Sequence, residues 1–436
     1  MYTLPNKLKI FALVLMVVGA IGVFAGFMNS PGSVEEVKER LENQDHHGHG
    51  AAHGTDEVHH DDAHYEHVYH QLKNRPWSAV YVAAFFFFMI SLGALAFYAV
   101  QHASQAGWSP VLFRVMEGVT GYLLPGSIVM MIIFILASSH VTDIFHWMEP
   151  SLVDPNHENY DALIANKSGW LNTTTFLIRA FLYILGWNLY RHFSRKFTLK
   201  QDEAEPGNYT WFKKNFKLSA GFLVFFIVTE SMMSWDWIMG FDPHWFSTLF
   251  GWYVFAGMFV SGITVIAMVT IYLKSQGYLE FVNSSHIHDL AKFMFAISIF
   301  WTYLWFSQFM LYWYANIPEE VTYFIARIQD YKLLFFGMVV LNFVLPLLLL
   351  VNTDFKRVHW LVIFVGIIIL AGHYLDVFVM VMPGTVSASW SIGLPEIGAL
   401  LFFAGLFIFV VFTTLSKAPL LAKGSPFIEE SKHFHY

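Results

Sequence analysis

The chain has no cysteine. Disulfides, thiol catalysis and cysteine-ligated iron–sulfur clusters are therefore excluded within it, and any such redox centre sits elsewhere. Charge is scarce as well. Asp, Glu, Lys and Arg make up 13% of the residues, where a soluble domain carries about 25%. No basic patch interleaved with aromatic residues is present, which argues against nucleic acid as a partner. Phosphate loop, dinucleotide fingerprint and nucleophile elbow are all missing. What is abundant is apolar: 56% of the residues are hydrophobic and 45 are Phe.

A membrane span needs about 20 apolar residues. Ten such stretches occur, at roughly 9–28, 78–101, 112–137, 171–190, 216–239, 247–273, 290–314, 331–351, 358–382 and 392–416. The expected fold is an all-α polytopic integral membrane protein. The first stretch lacks an Ala-x-Ala cleavage pattern at its end and reads as a retained span rather than a signal peptide. Pro125 and Pro346 interrupt the third and eighth spans and predict kinks there. Most of the 25 basic residues fall on one side. The 190–217 loop is the strongest element, with Arg191, Arg195, Lys196, Lys200, Lys213, Lys214 and Lys217. The positive-inside rule makes that side cytoplasmic. Both termini then lie inside. Trp77, Trp108, Trp170, Trp235, Trp237, Trp245 and Trp360 fall at span ends, where interfacial anchors belong.

The outer loop 29–76 holds nine His between His46 and His70. His60, His64 and His67 would share a helical face at a metal-ligand spacing. Without a scaffold the segment reads as a solvated low-complexity stretch, and no metal site is assigned.

Ionisable residues inside the spans carry the functional signal. A charge at bilayer depth costs about 2.5–3.5 kcal/mol on insertion scales, so it persists where something requires it. Arg114 and Glu117 are three apart near the cytoplasmic end of the third span and are expected to pair. Arg179 lies mid-span in the fourth. Glu230 sits roughly 21 Å into the fifth at 1.5 Å per residue. Asp236 follows near the outer mouth. His140-Val-Thr-Asp143-Ile-Phe ends the third span, and His373-Tyr-Leu-Asp376-Val-Phe lies in the ninth. Each is expected to place a His and an Asp on one outward face, a pattern an internal duplication or a coincidence would equally produce. Glu117 and Arg179 form an inner group. Glu230, His140, Asp143, Asp236, His373 and Asp376 form an outer one. Together they would make two proton half-channels, because carboxylates and His in poorly solvated sites exchange protons with water chains. Tyr303, Gln308 and Asn342 read as helix–helix glue. A transmembrane haem needs two axial ligands at matching depth. His102, His192 and His359 lie at inner ends and His140 and His373 outside, with no helix carrying two at haem spacing.

Two longer stretches carry a resemblance. One is Asp236-Trp-Ile-Met-Gly-Phe-Asp-Pro-His-Trp-Phe-Ser-Thr248. The other begins His288-Asp-Leu-Ala-Lys-Phe293 and leads into Phe306-Ser-Gln-Phe-Met-Leu-Tyr-Trp-Tyr-Ala-Asn-Ile-Pro-Glu-Glu320. They resemble the F-type membrane subunits (ActF) of bacterial alternative complex III, a quinol:cytochrome c oxidoreductase, within the polysulfide-reductase (NrfD-type) membrane anchors. The resemblance spans the whole chain. It implies two four-helix bundles, 77–239 and 240–382, flanked by a first helix (1–28), the loop 29–76, and a last helix with its tail (383–436). It also implies partners: a homologous quinol-binding membrane subunit, an outer-side iron–sulfur protein, multihaem cytochrome c subunits, and a terminal oxidase as a further neighbour. By that resemblance this chain holds no cofactor, the partners carry the iron–sulfur clusters and haems c, and quinol oxidation belongs to the sister subunit.

Three other readings compete. A quinol site within this chain would use His140, Asp143, Glu230 and Asp236 as headgroup partners, with an apolar slot for the tail. A free-standing secondary transporter would need broken helices at mid-depth. An inert scaffold would hold its buried charges as pairs.

Overall fold

The computed structural model describes residues 2–48 and 62–435. Every regular element among them is helical. Nine of the helices are long and apolar enough to cross a membrane, as a chain this rich in Phe and Leu predicts. The protein is a multi-pass membrane protein. The spans are α1 (Asn6–Met28), α2 (Asp62–Ala103), α3 (Pro110–Ser138), α5 (Thr210–Trp237), α6 (Phe250–Ser275), α7 (Ser284–Ala315), α9 (Lys332–Leu350), α10 (His359–Val386) and α11 (Leu394–Leu415). The tenth expected span, 171–190, lies in α4 (Thr173–Asp202). This helix has the length of a span but falls short in apolarity, because Arg179, Asn188 and Arg191 interrupt it. Between α7 and α9 lies α8 (Pro318–Asp330), a strongly amphipathic helix with Tyr323, Phe324 and Arg327 buried.

Helices α2, α3, α4 and α5 form a closed ring of neighbours, and α6, α7, α9 and α10 form a second. The central helix α2 joins them, packing on α6, α10 and α11 as well. Small residues permit the closest crossing. A Cβ on Gly93 of α2 would lie 2.0 Å from the Met258 carbonyl oxygen of α6, and one on Gly262 would lie 2.4 Å from the Ala94 nitrogen. In lipid, where helix association relies on packing, small residues let backbones approach this closely. The flanking pair α1 and α11 uses the same device: a Cβ on Gly19 would fall 2.3 Å from the Phe402 nitrogen. The rest of α1 exposes Ile10, Phe11, Val14, Val17, Ile21 and Phe24, a surface suited to lipid.

Near both prolines the helix changes type. A 3-10 turn at Thr120–Tyr122 precedes the Leu123–Ser138 segment that contains Pro125. A π-turn at Val340–Val344 precedes Pro346. Proline removes one intrahelical donor, and these turns re-route the neighbouring carbonyls.

Both chain ends lie on one face. Tyr2 meets Tyr278 edge-on at 5.1 Å, and the Asn283 side chain donates to the Phe434 carbonyl at 2.6 Å. We call this the terminal face and the opposite one the loop face. Two of the Trp expected at span ends, Trp237 and Trp245, are buried against protein. Trp237 packs edge-on against Trp187, and Trp245 stacks on Tyr323 at 3.8 Å.

Candidate functional site

Four separate settings hold Glu117, Asp236, Asp376 and Glu230; other buried ionisable residues lie apart from them, among them Glu396, paired with Arg75 at 2.7 Å. At the terminal face, Arg114 donates to Glu117 at 2.6 Å and to Asp202 at 2.5 Å. Glu117 Oε1 also accepts from Tyr98 at 3.0 Å and Thr198 at 2.6 Å. The i,i+3 spacing makes the first pair; α4 supplies Thr198 and Asp202. Asp202 in turn accepts from the Gly424 amide at 2.8 Å, which fastens the C-terminal tail to this network.

The second setting lies toward the loop face. Arg179 grips Asp236 with a two-pronged fork, Nε to Oδ2 at 2.8 Å and Nη2 to Oδ1 at 2.9 Å. Trp170 and Tyr183 donate to the same carboxylate at 2.8 and 3.2 Å. The guanidinium lies 4.2 Å over the Trp170 ring. Arg179 was expected beside Glu117 in an inner group. It belongs with Asp236, because only two turns of α4 precede it at the loop-face end. A bidentate fork of this kind is strong and geometrically fixed.

His140 and Asp143 do not share a helical face. Helix α3 ends at Ser138, and His140 takes a left-handed conformation (φ 55°) just past it. Both side chains are exposed, and the Asp143 amide is tied to Asn74. The repeated His-x-x-Asp-x-Phe pattern therefore falls on a surface turn in one copy and on a buried helix in the other.

That second copy forms the third setting. His373 and Asp376 of α10 are both buried, with His373 Nδ1 3.4 Å from Asp376 Oδ2. Tyr253 of α6 donates to Asp376 Oδ1, and Trp301 of α7 donates to Oδ2 at 3.0 Å. Asn342 of α9 stands 3.5 Å from His373 Nδ1. All four helices of the second ring thus converge here. Asn342 sits on the π-turn, a distortion that recurs at functional sites. Gly257 of α6 makes room, since a Cβ there would lie 3.3 Å from His373 Nδ1. His373 Nε2 and Asn342 Oδ1 have no hydrogen-bond partner. Toward the loop face, Arg327 of α8 lies 3.3 Å over the Tyr323 ring and donates to the Tyr323 carbonyl. The Tyr323 hydroxyl is pushed up to about 12, by burial first; Arg327 opposes, and the carboxylates of Asp242 and Asp376 add to the rise.

The fourth setting is Glu230 alone. It is buried in α5, its Oε1 lacks a partner, and no hydrogen bond joins it to the other three settings.

Sequence reasoning missed Tyr253, Trp301, Tyr98, Thr198, Asp202 and Arg327. Only Asn342 carried a signal, as a polar residue near a mid-span proline, and it was read as helix glue. His60 lies outside the described residues, and His64 and His67 are exposed on α2. Among the described residues no three metal-ligating side chains come together. No known family model matches the chain. No curated protein matches it either.

Proposed function

We propose that the chain is an integral membrane subunit of a respiratory quinol:cytochrome c oxidoreductase, holding no electron carrier, in which the His373–Asp376 cluster is one station of a proton route. The observation that carries this reading is the convergence of Asp376, His373, Tyr253 and Asn342 in a buried, incompletely bonded cluster at a π-turn. Titratable groups that are neither exposed nor locked by a full set of bonds are those able to take and release a proton. Tyr323 and Arg327 extend the polar line toward the loop face. The Glu117–Arg114–Asp202 network lies at the terminal face, where its carboxylates are held by a guanidinium and serve the packing of α3 on α4. The basic side chains Lys196, Lys200, Lys213 and Lys214 flank that network, which supports a cytoplasmic terminal face in a bacterial inner membrane. The partners in this reading are a quinol-binding sister subunit, an iron–sulfur protein and multihaem cytochromes c; a terminal oxidase is a further one.

The test is Asp376→Asn in the intact assembly reconstituted in liposomes. Quinol oxidation should persist while protons released per quinol fall. Unchanged stoichiometry removes the transport role, and a chain that purifies without cytochromes c removes the assembly.

A second reading has one observation in its favour. An aromatic pocket of about 380 Å³ at the loop face is lined by Trp170, Trp235, Trp245 and Lys167, and Trp170 also binds Asp236. A quinol ring would fit such a slot. His140 and Asp143, the other headgroup partners expected, sit on an exposed turn.

A further inference from the structure

Glu230 has surroundings that the proton route does not use. It is 2% exposed and opens onto a groove of about 140 Å³ between α5, α6 and α2. Four aromatic side chains line the groove with it: Phe226, Trp252, Phe255 and Phe259. They form a connected set, with ring centroids 6.2 Å apart for Phe226–Phe255, 6.1 Å for Trp252–Phe255 and 5.1 Å for Phe255–Phe259. The groove is reached from the flank of the protein, because Ile227 (48% exposed) and Trp252 (42%) stand at its edge. That flank belongs to two membrane spans, so whatever enters comes through the bilayer. No cation of the described residues pairs with Glu230.

Ser231 also lines the groove and is the one polar neighbour of Glu230 there. Chemistry narrows what such a place holds. A carboxylate in an apolar site is costly unless it takes up a proton or a positive partner accompanies it. Aromatic faces attract organic cations, and the gain rises on desolvation. A cavity of about 150 Å³ holds one benzene-sized ring. We infer that Glu230 and its aromatic groove form a binding site for a lipophilic organic ammonium, a cation with an apolar body of about one ring, entering from the membrane between α5 and α6. The ammonium pairs with the Glu230 carboxylate while its body lies against Phe226, Trp252, Phe255 and Phe259.

The test uses the full chain in nanodiscs of uncharged phosphatidylcholine. Benzylammonium is titrated against benzyl alcohol, its neutral counterpart of the same shape, with calorimetric readout. Benzylammonium should bind at least tenfold more tightly than the alcohol, and Glu230→Gln should abolish that difference. Phe255→Leu keeps the carboxylate and should weaken the ammonium several-fold while leaving the alcohol unchanged. If Glu230→Gln does not fold, the unsubstituted protein still decides. Dicyclohexylcarbodiimide adds to a carboxylic acid across its C=N bond and rearranges to a stable N-acylurea, with no group lost. The adduct should map to Glu230 and be suppressed by benzylammonium but not by benzyl alcohol. Equal binding of the two probes, absence of the adduct at Glu230, or failure of the ammonium to protect overturns the site and leaves a groove that takes a proton only.

Discussion

Asp236 and Asp376 are both buried aspartates at helical positions, yet their surroundings differ in kind. Asp236 faces a guanidinium fork, an indole and a phenol, so each of its oxygens is fully engaged by fixed donors. Asp376 has a phenol, an indole and an imidazole 3.4 Å away, with no permanent cation beside it. The first arrangement supplies the carboxylate's counter-charge within the protein. The second supplies hydrogen-bond donors but no guanidinium or ammonium. Burial alone therefore does not define a carboxylate's surroundings; what differs is whether its counter-charge is built in. Glu117, held by Arg114, falls with Asp236, and Glu230, with none, falls beyond Asp376.

This contrast can be broken by removing partners. The largest effect belongs to Arg179→Met, which strands Asp236 as an unpaired buried charge. A loss of about 3–5 kcal/mol is expected, read as a lowered midpoint in thermal unfolding in detergent. A variant that unfolds like the parent would mean Asp236 is not committed to its fork. Next comes Asp376→Asn. The new amide nitrogen would face the Trp301 N–H, and the charge-assisted bond from Tyr253 would weaken. The cost should be about 2 kcal/mol, smaller than for Arg179→Met because no charge is stranded. A larger loss than at Arg179 would reverse the comparison. Smaller still is Glu230→Gln. It removes an acid that has no counter-charge, with Ser231 as its one hydrogen-bond neighbour, so stability should change by less than about 1 kcal/mol and in either direction. A loss as large as that of Arg179→Met would reveal a hidden counter-charge.

The spans were legible because lipid demands long apolar runs, and the positions of Pro125 and Pro346 located both breaks. The Arg114–Glu117 pair was legible because three residues on one helix make one face. Arg179 with Asp236 was not, since 57 residues separate them in sequence and only packing of α4 on α5 brings them together. The Tyr253–Asp376 contact spans 123 residues and leaves no local trace. The His140–Asp143 expectation failed for a simpler reason: it assumed that α3 continues past Ser138, and a left-handed residue stops it. The π-turn could not be read from residue types, although a proline two positions beyond it is a hint in retrospect.

The weakest test of the contrast lies outside the membrane, at Asp161. This acid also has its oxygens occupied. It accepts from the amides of Leu163 and Ile164, capping a short helix, and from His244 at 2.6 Å. Desolvation pushes its carboxyl upward, but the two amides and His244 outweigh it, so the group is held below the ordinary Asp range. The sign follows from linkage. A depressed carboxyl contributes stability above its unfolded value, about 3.9, and loses it as pH falls through the lower folded value. Because the pair with His244 is half exposed, solvent screening limits its share to a few tenths of a kcal/mol, about 0.2–0.5. The protection of the Leu163 and Ile164 amides against hydrogen exchange, taken relative to their intrinsic rate at each pH, should therefore fall only below about pH 4, and Asp161→Asn should flatten that dependence with little change at neutral pH. If engagement of the oxygens alone decided the matter, Asp161 would behave like Asp236 and its loss would cost several kcal/mol. A small, pH-limited effect instead separates the two ingredients: a full set of donors holds the carboxylate in place, and exclusion of water gives that hold its energy.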